Sequence, residues 1–269
     1  MGSVKDRVGI AMLSALESDD RLNSESIIVE PTPGDTGIAL VFAAARKGYR
    51  LILTMPASQS VARRKMLKLL GAELELTISK EGMTGAIRRA EELIENNSNA
   101  IMPQQFHNEA NTSIHAHTTA EEIWTDTDGL VDVIVSSAGT GGTLTGCGRL
   151  LKARNPEIKI IAVEPEDSAV LSGGAPGSHR IEGTGAGFVP PILDQSLIDE
   201  VITIGSEFAF ISARQVARLG GLTVGISSGA ALAAAIEICG RAEMIKKRVV
   251  VIVPSFAKRY LSTQLFDEL

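Results

Sequence analysis

The chain has 269 residues, 44% hydrophobic and 22% charged, with a net charge of −6. That is enough to bury a disulfide-free core in one large or two smaller domains, and the acidic balance, with no compensating basic block, speaks against a nucleic-acid or anionic-membrane surface. Two cysteines in no metal-like spacing, with no signal peptide and no apolar run of membrane-spanning length, point to a reducing, cytoplasmic setting.

The first segment, Gly2-Ser3-Val4-Lys5-Asp6-Arg7, opens onto Val8, Ile10, Met12, Leu13 and Leu16 at helical spacing. Lys5 is therefore expected in a first helical turn, where the macrodipole disfavours a cation. It is either a solvated surface lysine or an amine of lowered pKa suited to nucleophilic or Schiff-base chemistry. A strand at Ile27–Val29 leads into Pro31-Thr32-Pro33-Gly34-Asp35-Thr36-Gly37 and a helix through Ala39–Ala44. Glycines and hydroxyls before a helix suit an anion; the plainer alternative is an ordinary turn with Asp35 or Thr36 as N-cap.

Tyr49–Met55 is the next strand, halted by Pro56, followed by a helix at Val61–Leu70, a strand at Ala72–Leu76 and a helix at Met83–Asn96. The stretch Ile101–Asn111 has no periodicity and carries Gln104, Gln105 and Asn108, either a linker or a loop lining a cleft. A helix is expected around Ile114–Trp124. Then Val131–Val135 forms a strand that turns through Gly139, Thr140, Gly141, Gly142 and Thr143 into a helix ended by Asn155-Pro156. Such a turn aims bare N–H groups and a helix dipole at one spot, a phosphate cradle. Ile158–Val163 and Val201–Ile204 read as further strands, with a non-periodic, glycine-rich Ser172–Pro190 between them. A helix at Ile211–Leu219 precedes Gly225-Ile226-Ser227-Ser228-Gly229, where either serine caps an alanine-rich helix, and Arg248–Val253 is the last strand. Alternating strands and helices predict parallel sheets covered by helices, with three loops at strand carboxyl ends facing one small-molecule crevice.

Other chemistries fit less well. The four histidines lack zinc-site spacing. Gly225–Gly229 matches a nucleophile elbow, but no histidine follows it to complete a triad. A dinucleotide site would use Glu164, at the end of the next strand, on a ribose, yet Leu144 stands where a third glycine belongs.

Taken together, the motifs resemble cysteine synthase (O-acetylserine sulfhydrylase), a pyridoxal-phosphate enzyme of the β-family, along nearly the whole chain. Gly2–Arg7 is similar to its lysine motif, Pro31–Gly37 to its substrate loop, Gln105-Phe106 to its substrate glutamine, and Gly139–Thr143 to its phosphate loop. Gly183-Thr184-Gly185-Ala186-Gly187-Phe188 resembles its lid and Gly225–Gly229 the site of its ring-nitrogen serine; Leu53–Ser58 and Arg259–Thr263 resemble further signatures. The resemblance implies fold type II: two three-layer α/β/α domains, 1–108 and 109–269, with pyridoxal 5'-phosphate in the interdomain cleft. It implies that Lys5 bears the cofactor and shuttles the Cα proton, that Asp35, Gly139, Thr140, Gly141, Gly142, Thr143 and Ser227 bind the cofactor, and that Thr32, Pro33, Gly34, Thr36, Gln105 and Gly183 bind substrate. The implied reaction eliminates acetate from O-acetylserine and adds sulfide to the resulting aminoacrylate, in a homodimer able to take the C-terminal tail of a serine acetyltransferase.

Three departures set a second reading beside this one. Pro33 and Asp35 stand where the family has serine and asparagine, Ala257-Lys258 stands where it has Gly-Glu, and the chain lacks the family's usual segment before the lysine motif. The alternative is therefore a truncated, catalytically impaired homologue that acts by binding or by subunit pairing.

Overall fold

The computed structural model describes residues 2–32 and 34–267. The chain divides into two compact units, Met1–Ala110 and Asn111–Leu269.

In the first unit, α1 (Lys5–Ser18), β1 (Ile27–Pro31), α2 (Asp35–Lys47), β2 (Arg50–Pro56), α3 (Val61–Leu69), β3 (Glu73–Thr77), α4 (Gly82–Glu95) and β4 (Ala100–Ile101) follow in order. Their strands form a parallel sheet of order β3-β2-β1-β4. Two adjacent residues of β2 show how it is covered. Leu53 packs on Gly37 of α2, whereas Thr54 donates its hydroxyl to the Ala86 carbonyl of α4 at 2.7 Å. Successive strand residues point to opposite faces, so α2 and α4 sandwich the sheet. Helix α1 lies on α2 at a very short approach: a Cβ on Gly9 would stand 2.8 Å from that of Ala39.

The second unit contains α5 (Glu109–Ile114), which runs through a π-helical turn (His115–Thr119) into α6 (Ala120–Asp126), then β5 (Val133–Ser137), α7 (Gly142–Arg154), β6 (Lys159–Pro165), β7 (Glu200–Ile204), α8 (Ser206–Gly220), α9 (Ile226–Cys239) and β8 (Val249–Val251). Its parallel sheet has the order β7-β6-β5-β8. Val133, Val135, Ile161 and Val163 face a core made with Phe210 of α8 and Ala230 and Ala234 of α9. Their neighbours Ile134, Ile160 and Ala162 face Ile123 of α6 and Leu144 and Leu151 of α7. Both units are thus α/β/α sandwiches, and both sheets share one order: third, second, first, fourth. The order reverses beside β1 in one unit and beside β5 in the other, the kind of position where open α/β sheets bind ligands.

The structure corrects several boundaries. Gly34, not Asp35 or Thr36, is the N-cap of α2, because the Thr36 hydroxyl is turned away to Gln105. Neither Ser227 nor Ser228 caps α9: Gly225 does, pinned by its N–H to the Ser255 carbonyl at 2.8 Å, so the helix begins a turn earlier than expected. Helix α8 also starts earlier, at Ser206, and β8 is confined to Val249–Val251. Ile101 ends a two-residue strand rather than opening a loop. Among the described residues, no helix is long and apolar enough to cross a membrane.

Candidate active site

Lys5 is held from both sides of its own backbone. The Asp6 carboxylate accepts from the N–H groups of Gly2 and Ser3, at 2.7 and 3.2 Å, and the Lys5 N–H donates to Ser3 Oγ at 3.3 Å. Desolvation brings its pKa down from 10.5 to about 8, opposed by the charge of Asp35 in the first turn of α2. The Gly9–Ala39 approach sets this pairing, since it locks the helix that carries the amine against the helix that carries the carboxylate.

The loops after β1 and β4 meet at the reversal of the first sheet. Thr32 is buried and its Oγ1 accepts from the Gly34 N–H at 3.3 Å. Thr36 donates its hydroxyl to Gln105 Oε1 at 2.7 Å, with both side chains buried. That bond engages the glutamine's carbonyl oxygen and fixes the far end of its side chain. Pro33 lies outside the described residues.

In the second unit, the loop after β5 is a backbone cradle. Gly141 has φ 87 and is the N-cap of α7, a left-handed position suited to glycine. A Cβ on Gly139 would stand 2.6 Å from the Gly183 carbonyl oxygen, so these two backbones touch. The Ala138 carbonyl accepts from Thr184 Oγ1 at 2.8 Å and from the Gly185 N–H at 3.0 Å, which stitches the glycine-rich segment to the cradle. Gly183 also reaches Ser227: a Cβ there would lie 3.8 Å from the buried serine's Oγ. The loop Gly139–Thr143, Gly183 and Ser227 therefore come together in this unit.

Sequence reasoning passed over the side chains that orient these loops. Asn111 Nδ2 donates to Thr140 Oγ1 at 3.0 Å. The fully buried His115 lies between Thr119, 2.8 Å from Nδ1, and Thr143, 3.2 Å from Nε2. It sits in the π-helical turn, a local irregularity frequent at functional sites. Glu30, buried on β1, accepts from the N–H groups of Gln104 and Gln105 at 2.9 and 3.0 Å. A glutamate in an otherwise apolar strand was the available signal. Glu164, weighed above as a ribose ligand, is occupied instead: it accepts from the N–H groups of Leu171 and Ser172 and from Ser172 Oγ, at 2.8, 2.9 and 2.6 Å.

A family model described as pyridoxal-phosphate dependent enzyme matches residues 1–255. The cysteine synthase of Buchnera aphidicola (subsp. Acyrthosiphon pisum) is 48% identical over 99% of this chain and 88% of its own length. Cysteine synthase A of Escherichia coli K12 is likewise 48% identical, over 99% of this chain and 85% of its own. Among solved structures, the cysteine synthase of Entamoeba histolytica matches with a TM-score of 0.97 at 47% identity, covering 100% of this chain and 80% of that one.

Proposed function

The chain belongs to the pyridoxal-phosphate-dependent enzymes, and from that premise we propose that it is a cysteine synthase: it replaces the acetoxy group of O-acetylserine with sulfide, giving cysteine and acetate. Lys5 carries the reading, as an amine of pKa about 8 at the start of α1. The loop after β5 supports the reading as well. A cradle too tight for a Cβ at Gly139 and opened by the left-handed Gly141 leads into the N-terminus of α7, which suits a phosphate.

When bound, pyridoxal phosphate supplies the conjugated ring that draws electrons from the amino acid's Cα and so eases loss of the Cα proton and of the β-substituent. Lys5 would hold the cofactor through Nζ and would then accept and return the Cα proton there, which requires the neutral amine. With a pKa of about 8, half the amine is neutral at that pH, against well under ~1% for an ordinary lysine. Thr32, Gly34, Thr36 and Gln105 would receive the substrate carboxylate; Pro33, in the same substrate-binding loop, offers it no N–H donor, Gly183 would lie along the substrate, and Asp35 would stand by the cofactor. Gly139, Thr140, Gly141, Gly142 and Thr143 hold the phosphate. Ser227 would offer the ring nitrogen a neutral hydroxyl, which would limit the ring's pull and favour β-elimination over transamination. The proposal extends to a homodimer in the cytoplasm that takes the C-terminal tail of a serine acetyltransferase, to be tested by light scattering with and without that peptide.

One observation favours a second reading. The charge of Asp35 raises the Lys5 pKa against desolvation and keeps more of the amine protonated. A chain that binds cofactor and amino acid but turns over slowly would act by binding.

The test is reconstitution. Purified protein incubated with pyridoxal phosphate should turn yellow, borohydride should fix the cofactor on Lys5, and O-acetylserine with sulfide should yield cysteine. Protein that takes up no cofactor refutes both readings; cofactor uptake without cysteine, restored by Asp35→Asn, selects the second.

A further inference from the structure

Glu30 is the penultimate residue of β1 before Pro31 and is only 1% exposed. Both of its oxygens are used, Oε2 by the Gln104 N–H at 2.9 Å and Oε1 by the Gln105 N–H at 3.0 Å. Its environment is otherwise desolvating, and burial pushes its pKa up to about 7 despite those two bonds. Among the described residues no cation stands beside it, and such a buried carboxyl group is a poor way to stabilise a core, since an apolar residue of similar size fills the space without a desolvation penalty. What it does instead is fasten a loop.

That loop leaves β4 after two strand residues and turns at once. Gln104 takes the left-handed φ of 59, unusual for a side-chain-bearing residue. Its carbonyl accepts from the N–H groups of His107 and Asn108 at 2.8 and 2.9 Å, and Asn108 Nδ2 donates to the Pro103 carbonyl at 2.9 Å. Glu30 ties this knot to β1. Two bonds to consecutive N–H groups fix the peptide planes on both sides of Gln104, and hence the direction in which the Gln105 side chain leaves the backbone. Thr36 then fixes the far end of that side chain at Oε1.

We infer that Glu30 is a positioning residue for amino-acid binding, acting through Gln105: it holds the loop that carries the glutamine in the place from which this residue serves the substrate carboxylate. The inference rests on the cysteine synthase reading and gives that site a buried support on β1. Both Glu30 oxygens are committed to the Gln104 and Gln105 N–H groups, so its role is exerted through that loop.

The experiment uses the reconstituted holoenzyme. Glu30→Gln keeps the shape but sets an NH2 group against one of the two N–H donors. Its KM for O-acetylserine should rise about tenfold, with kcat within about threefold and the cofactor spectrum and the borohydride-trapped Lys5 unchanged. In a Gln105→Ala background the same substitution should leave KM unmoved, because the group it positions is gone. Glu30→Asp, which keeps the carboxylate, should recover part of the lost affinity and serves if Glu30→Gln does not fold. Amide exchange at Gln104 and Gln105 should quicken in each variant. A folded Glu30→Gln enzyme with wild-type KM, or an equal KM effect with and without Gln105, overturns the inference. A wild-type holoenzyme whose spectrum no amino acid perturbs overturns the proposed function itself, and with it the role given to Glu30.

Discussion

Thr36 and Gln105 stand 69 residues apart in sequence, yet the threonine hydroxyl donates to the glutamine carbonyl oxygen at 2.7 Å between two buried side chains. Thr36→Val preserves shape and leaves that oxygen without its donor. Loss of such a buried bond costs roughly 1–3 kcal/mol, so the urea midpoint should fall and KM for the amino acid should rise together. A drop in stability with unchanged KM would show that the bond serves the fold alone.

Asp35→Asn removes the charge that holds the Lys5 pKa up, so the pKa should fall below about 8. The pH at which borohydride trapping of the cofactor reaches half its maximal rate reads this directly, and it should move downward.

The same lysine gives a stability profile of definite sign. Its folded pKa is depressed from 10.5 to about 8, so between those values the unfolded chain binds more protons and stability rises with pH. Below about pH 8 the full penalty of the desolvated ammonium is felt. In cofactor-free protein, Lys5→Met should therefore raise Tm at pH 7 and lose this advantage toward pH 10.5. A Tm difference that does not change with pH would contradict the desolvation argument.

Two glycines of the binding loops should respond differently to alanine. At Gly139 the new methyl would meet the backbone oxygen of Gly183 at 2.6 Å, whereas at Gly34 it would have open space. Gly139→Ala should force the glycine-rich segment off the cradle, lower Tm and weaken cofactor uptake by at least about tenfold. Gly34→Ala should leave Tm near wild type. Calorimetry and a cofactor titration compare the two.

His115→Leu fills a similar volume and removes both ring nitrogens from Thr119 and Thr143. With the Thr143 hydroxyl no longer oriented, the Kd for pyridoxal phosphate should rise about tenfold, read by absorbance titration. An unchanged Kd would mean that the histidine only packs the helix.

Much of this architecture was legible in the chain itself. The β-branched runs at Ile27–Val29, Val131–Val135 and Ile158–Val163 have no helical period, and each is followed by turn residues, so the strand–loop–helix rhythm stood out. Gly139–Thr143 could be read as an anion cradle because its chemistry is local: backbone N–H groups need only glycines and a helix start. The contributions of Glu30, Asn111 and His115 could not be read this way, because each acts on a loop reached only after the chain has folded back. The π-helical turn was hidden because one extra residue per turn barely disturbs the apolar spacing around Ile114–Trp124. Asp35, Thr36, Ser227 and Ser228 looked like caps because their residue types suit one, while the glycines ahead of them took the position.

The absence of any side chain on Gly9 has a mechanical consequence. With Ala39 set against its backbone, α1 and α2 leave no room between them for a Cβ. The helix that begins at Lys5 and the helix that begins at Asp35 therefore take their spacing from the contact of Gly9 with Ala39. A bulkier residue at position 9 would leave the identity of every functional side chain unchanged and still detune the enzyme, by pushing the helix that begins at Lys5 off the helix that begins at Asp35.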